Sequence, residues 1–376
     1  MKSQTFIQLI KIGFLGLVLA GLLLAQSNPI PVASLRGVNF SCAALLDREQ
    51  GDRKGIDDEP ADWLPRSFRL MAESGINTAR VGYYWESYEK NPARFLAALR
   101  EIAALSAKHQ VRVIFTFFQW ETTSFWDFKP RGGGFPSRLM KAYPNKGTRD
   151  ETQSPFYEDL WNNAITQDGK TVWQLILDLQ LKVVEQVDGM ATVFGYEILN
   201  EPHILDYAQF EKLGAFHTFL AAGLRARTGK TLFFDMSYPT GPLKSGRDRT
   251  PENEIKIVPK GIGNLIYAPH LYAAPVGNNW GSQQLSLFKA VAAGWGLPLL
   301  MGEFGVGLTE KRRMSEYPFQ NDVDAFLDGF RGAGFLGGVY WCWGLNPYMP
   351  EGLRVINGSY EFSPVFQYLL KRWASR

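Results

Sequence analysis

From Leu35 onward, short and almost continuously apolar runs alternate with segments whose apolar residues recur at helical spacing. The runs are 35–41 (LRGVNFS), 77–83 (NTARVGY), 111–118 (VRVIFTFF), 191–199 (ATVFGYEIL), 231–236 (TLFFDM), 264–271 (NLIYAPHL), 297–303 (LPLLMGE) and 336–343 (LGGVYWCW). Such runs are what parallel strands covered on both faces require; a strand with one wet face would alternate instead. Between them, 92–108, 171–187, 208–227 and 322–332 predict helices, and in the first Phe95, Leu96, Leu99, Ile102 and Leu105 form one stripe. Eight strand–helix alternations without a second domain predict an α/β fold, a single (β/α)8 (TIM) barrel over residues 35–376. A doubly wound open sheet is the alternative, but its phosphate-binding signature is missing. The dense glycine cluster Gly132-Gly133-Gly134 follows no strand directly and reads as loop punctuation.

Two connections interrupt the rhythm, at 119 to about 169 after the third strand and at 237–263 after the fifth. Long loops in a compact domain are usually functional or disordered. The first carries Trp120, Phe125, Trp126, Phe128, Phe135, Tyr143, Phe156, Tyr157 and Trp161, too many aromatics for a disordered segment. Most are expected to pack this loop onto the barrel. The loop leaves the C-terminal end of its strand, the face on which barrel active sites assemble.

Residues 1–34 stand apart. Lys2 and Lys11 precede a 14-residue apolar run, IGFLGLVLAGLLLA, and small residues follow at Ala25 and at Ala33-Ser34. The run is short for a bilayer span and has the flanks of a signal peptide, so export to a secreted or periplasmic location is expected, with retention as an N-terminal membrane anchor the alternative.

Composition narrows the chemistry. Forty basic and 37 acidic side chains leave a net charge of +3 with no long single-sign run, which predicts no nucleic-acid partner. Two cysteines, Cys42 and Cys342, and four histidines, none paired, predict no metal site and no cofactor. Export would permit a Cys42–Cys342 disulfide, and two buried thiols are equally compatible with the sequence. Asn39 and Asn357 sit in glycosylation sequons by pattern only.

Two carboxylates carry the functional argument. Glu201 follows the strand-like run 193–199 and precedes Pro202, which disfavours the α conformation for Glu201 and predicts an extended backbone there. Glu303 ends another apolar run, LLMGE, before a glycine-punctuated loop. In a closed barrel, the ends of the fourth and seventh strands can aim both groups across one pocket. Paired carboxylates flanking a bond are what glycoside hydrolysis needs, one protonating the leaving oxygen while the other attacks or activates water. The competing structural reading is that each Glu neutralises a barrel arginine such as Arg80. Glu197 is the runner-up carboxylate, placed deeper, where pairing with a buried base is expected.

The motifs YEILNEP and LMGEFG resemble the acid/base and nucleophile motifs of glycoside hydrolase family 5, the cellulase family of retaining barrel glycosidases. Arg80 in NTARVGYYW matches the arginine that keeps the nucleophile ionised. Asn200 matches the asparagine that bonds the sugar 2-hydroxyl, and Glu201 the acid/base. His270 and Tyr272 in APHLY match the His-x-Tyr after the sixth strand. Glu303 matches the nucleophile, and Trp341 the tryptophan beneath the reacting sugar, with Trp343 the alternative. Many members carry a histidine on the third strand where this chain has Phe118 and Gln119; Gln119 and Trp120 are therefore further candidates for substrate binding. Independently of the resemblance, a cation at Arg80 and a hydroxyl at Tyr272 would keep Glu303 ionised, and partial burial beside that negative charge would keep Glu201 protonated. The short, retaining separation of the carboxyl groups is expected. The resemblance implies a monomer that hydrolyses a β-linked glucan or mannan, acting within the polymer. GYEILNEP is similar as well to endoglycoceramidase-like members, which makes a glycolipid or small β-glycoside the alternative substrate. A catalytically silent carbohydrate-binding barrel is the rival from another class.

Overall fold

The computed structural model describes residue 31 and residues 33–46, 60–120, 122, 133–240, 243, 249–272, 279–306, 319–344, 352–356 and 359–375. The apolar segment 12–25, the loop aromatics Phe125, Trp126 and Phe128, and the sequon at Asn357 lie outside them. Among the described residues no helix is long and apolar enough to cross a membrane.

Eight parallel strands close into a barrel: β1 (Leu35–Phe40), β2 (Thr78–Tyr83), β3 (Arg112–Phe117), β4 (Val193–Glu197), β5 (Thr231–Phe234), β6 (Leu265–Tyr267), β7 (Leu299–Phe304) and β8 (Phe335–Tyr340). Each pairs with its sequence neighbours, and closure comes from β8 on β1, with Leu35 opposite Gly337. The apolar run at 264–271 is one segment in sequence but two in space. Pro269 has no N–H to donate, so the ladder breaks and resumes only at His270–Leu271, where His270 lies opposite Glu303.

Helices follow the strands in turn: α1 (Trp63–Glu73), α2 (Pro92–His109), α3 (Val172–Val187), α4 (Gln209–Arg225), the short α5 (Pro251–Glu254), α6 (Asn279–Trp295), α7 (Gln320–Ala333) and α8 (Pro364–Ala374). Their ends are set by local chemistry. Asn91 caps α2 by accepting from the Arg94 amide at 3.0 Å, with Pro92 at the first helical position. Thr171 and Gln174 form a capping box at the start of α3.

The core has two layers. One cluster fills the barrel with Leu35, Ile114, Phe233, Ile266, Leu300 and Val339, and a larger one lies between strands and helices. Side chains thus plug the cylinder, and any pocket must lie at its rim.

The long connection after β3 is more ordered than its sequence suggests. It contains a 3-10 turn (Ser137–Ala142), a helix (Arg149–Trp161) and a small hairpin joining Thr166–Gln167 to Lys170–Thr171. Phe135, Phe156, Tyr157 and Trp161 are buried, with Phe135 edge-on to Phe117 at 5.5 Å and to Phe156 at 5.2 Å. These aromatics serve the loop's own core. Cys42 and Cys342 are buried thiols rather than a disulfide.

Candidate active site

The barrel interior turns polar around Arg80. Its guanidinium is 1% exposed and donates five hydrogen bonds. Two run in parallel to Glu197, both at 2.6 Å, the planar fork matching the carboxylate. The others reach Asn39, Glu303 and Asn200, each at 2.7 Å. Arginine neutralisation and a shared pocket therefore coexist. Glu197 is the partner of the buried base, also held by Thr116 at 3.2 Å, while Glu303 takes only one arm of the fork. Asn39 is buried in this network, also donating to the Gly302 carbonyl at 3.4 Å, so its sequon lies out of reach of glycosylation.

Glu303 ends β7 with one oxygen on Arg80 and the other accepting from the Tyr272 hydroxyl. Burial pushes its carboxyl above the usual range, while His270 and Arg80 pull the other way. Two donors aimed at one carboxylate favour its anion. Glu201 has a different environment. Burial pushes it up to about 7, against the pull of Arg80 and Arg249. Its Oε1 lies 2.9 Å from His270 Nδ1, and that nitrogen lies 3.6 Å from Glu303 Oε2. One oxygen of each glutamate and one nitrogen of His270 all lie within 4.8 Å of one another. Two carboxyl groups so close in a dry site cannot both ionise easily, and burial pushes both upward.

Glu201 does not have the extended backbone expected from Pro202. Its φ is 43°, in the left-handed region, and its amide donates to Asp235 Oδ2 at 2.8 Å. That bond and the His270 contact hold a conformation that a residue with a Cβ adopts rarely. Asp235, just past β5, was not singled out from sequence, although it carries the same signature as Glu201 and Glu303: an acidic residue ending an apolar strand, here LFFD.

The remaining candidates separate by access. Asn200 is buried, accepting from Arg80 and donating to the Gln119 carbonyl at 2.9 Å. Gln119 is fully buried; its amide N–H groups are donated to the Asn200 and Glu201 carbonyls, and its oxygen accepts from Tyr157 at 2.7 Å. Gln119 thus fastens the β4 end to the long loop, and its polar atoms are spent on protein. Trp120 is 36% exposed. Trp341 is half-buried and lies nearly parallel to Phe118 at 5.8 Å, whereas Trp343 is fully buried against Phe362 and Phe366. Of the two tryptophans, only Trp341 has a face available to a ligand. Phe118, also half-buried, has Tyr84 6.0 Å away, and a Cβ added at Gly82 would lie 3.2 Å from its side chain. Two further histidines are packing groups: His203 stacks on Tyr157 at 5.1 Å, and buried His217 places Nδ1 2.8 Å from the Ile257 carbonyl; His109 is half-buried at the end of α2.

Comparison with known proteins gives the site its context. The model of the cellulase family, glycosyl hydrolase family 5, matches residues 63–347. No curated protein matches the chain. Among solved structures, endoglycoceramidase II from Rhodococcus sp., in a complex with a cellobiose-like imidazole, superposes with TM-score 0.63 at 17% identity, over 90% of this chain and 78% of that one. An endogalactoceramidase gives 0.67 at 17% identity, over 91% and 81%. The endoglucanase Cel5A of Pseudomonas stutzeri gives 0.60 at 16%, over 92% and 97%. At these identities the superpositions speak for the barrel, and the family match speaks for the lineage. The chain belongs to the cellulase family, glycosyl hydrolase family 5, and is a glycoside hydrolase.

Proposed function

We propose that this hydrolase is a retaining β-glycosidase in which Glu303 is the nucleophile and Glu201 the acid/base. The observation that carries the reading is the placement of their oxygens within 4.8 Å of each other on unlike supports. Retaining enzymes hold their carboxyl groups about 5–5.5 Å apart, whereas inverting ones leave roughly 6.5–9.5 Å for a water.

In the first step a Glu303 oxygen bonds to the anomeric carbon while the glycosidic C–O bond breaks, and Glu201 gives its proton to the departing oxygen. In the second, Glu201 takes a proton from water, the water oxygen bonds to the same carbon, and Glu303 leaves with its electron pair. Arg80 and Tyr272 keep Glu303 anionic and aimed. Asn200 Nδ2 uses one hydrogen on Gln119, and its second can reach a sugar 2-hydroxyl. Trp341 supplies a flat face for the sugar ring, and Trp120 one for a neighbouring unit.

The preferred substrate is a β-linked glucan or mannan cut within the chain, by an enzyme exported and acting as a monomer. A glycolipid is the second reading. It is supported by the half-buried pair of Phe118 and Trp341, apolar where many relatives have a histidine, and by the endoglycoceramidase and endogalactoceramidase among the similar structures. Proton NMR of the first-formed product tests the mechanism: the β-anomer must appear first, and an α-anomer would refute it. Digestion of cellulose, mannan, mixed-linkage glucan and a glucosylceramide, with products identified, tests the substrate.

A further inference from the structure

One buried carboxyl touches both groups that set the attitude of Glu201. Asp235 Oδ2 accepts the Glu201 amide at 2.8 Å and lies 3.2 Å from His270 Nε2, while Oδ1 accepts the Met236 amide at 2.6 Å. His270 Nδ1, on the opposite side of the ring, lies 2.9 Å from the Glu201 carboxyl. Asp235 and His270 are both buried, and the approach of Nε2 to Asp235 is a close charge contact without hydrogen-bond alignment; Nε2 makes no hydrogen bond among the described residues. Asp235 thus holds the Glu201 backbone by a hydrogen bond and packs against the ring that meets the Glu201 side chain.

We propose that Asp235 is a positioning residue for proton transfer, acting through Glu201 and His270 without touching substrate. The inference rests on the reading of Glu201 as the acid/base. Its physical content is twofold. The Glu201 backbone is left-handed, a strained conformation that persists only where surrounding contacts over-determine it. The hydrogen bond that the Glu201 amide donates to Asp235 is the contact that fixes it from the backbone side. The same carboxyl lies against the Nε2 edge of His270, whose Nδ1 meets Glu201, and so limits how far the ring can move away from it. Without Asp235 the acid would still exist, displaced from the leaving oxygen, and a displacement of about 1 Å can cost a hundredfold in rate.

The test separates leaving groups. An alkyl β-glycoside needs a proton on its departing oxygen; a 2,4-dinitrophenyl β-glycoside does not. In Asp235→Ala and Asp235→Asn, kcat/KM for the alkyl glycoside is expected to fall about a hundredfold, within the range of positioned acid catalysis. For the dinitrophenyl glycoside kcat/KM should fall less than about threefold, with kcat and KM dropping together because base-assisted hydrolysis of the glycosyl-enzyme slows. Equal losses on both substrates, or none on either, would overturn the proposal. Glu201→Ala is the control for the underlying reading: if it lacks this selectivity, the acid/base assignment fails, whereas selectivity in Glu201→Ala alone defeats only Asp235. Should the Asp235 variants not fold, a crystal structure of the wild type trapped as its 2-deoxy-2-fluoroglycosyl-enzyme decides. Asp235 must remain on the Glu201 amide and beside His270, and a contact between Asp235 and the sugar would refute a positioning role.

Discussion

Replacing Arg80 by lysine keeps the buried positive charge and removes the fork. The arginine donates five hydrogen bonds at 2.6–2.7 Å, four of them to the acceptor oxygens of Glu197, Glu303 and Asn200. An ammonium has three N–H donors, so at least two bonds are lost. Bonds of this kind contribute about 1.5–3 kcal/mol each, and the loss of stability should be about 3–6 kcal/mol. For a barrel of this size the melting temperature should fall by about 10 °C. The catalytic effect has its own sign. Arg80 favours the ionised form of Glu303, so weakening that contact raises the pH at which Glu303 gives up its proton. If the variant loses about 1.4 kcal/mol at that contact, the acid limb of kcat/KM moves up by about one pH unit. Thermal melts and a pH series of kcat/KM on an aryl β-glycoside measure the two effects separately. A variant that melts lower yet keeps the wild-type acid limb would refute the link between Arg80 and Glu303. One that melts like the wild type would refute the energetic account of the fork.

Other outcomes follow from the same geometry. Glu201 is held up to about 7, so the basic limb of kcat/KM should fall near that pH and should be absent in Glu201→Gln. In the fold Glu201 keeps its proton between the ordinary 4.5 and about 7, so its contribution to stability is present below the lower value and lost as pH rises through the upper one. Glu201→Gln should therefore melt higher than the wild type at pH 8 and alike at pH 4. Glu303→Ala should abolish turnover, and added azide should restore it with an α-glycosyl azide as product; a β-azide would contradict the role of Glu303. Phe135→Ala, in the core of the long loop, should cost about 3–5 kcal/mol by denaturant melts. Trp120→Ala, on the surface, should leave stability within about 0.5 kcal/mol while raising KM on a polymer.

The barrel was legible because its strands are buried on both faces and so appear as unbroken apolar runs, and because Asn91 and the Thr171–Gln174 pair mark helix starts in plain residue code. The helix at Arg149–Trp161 was not, since its apolar residues crowd into one half and Pro155 interrupts it. The break in β6 was hidden within a continuous run until the missing N–H of Pro269 is considered. Within the site, Glu201 and Glu303 were marked by their strand-end positions. The left-handed turn at Glu201 was not, because it depends on Asp235, 34 residues away in sequence. Gln119 illustrates the limit most directly: its residue type suggests a substrate contact, and only the fold reveals that its amide is consumed in joining two loops.

Gly82 makes room for the aromatic pair. With no substituent there, the ring of Phe118 can pack against the second strand, and a single methyl would have to displace it by a few tenths of an ångström. The seat of the Phe118 ring beside Trp341 is thus governed by a position that carries no side chain of its own. Substitutions that reshape this aromatic pair can begin there, with Glu201 and Glu303 left untouched.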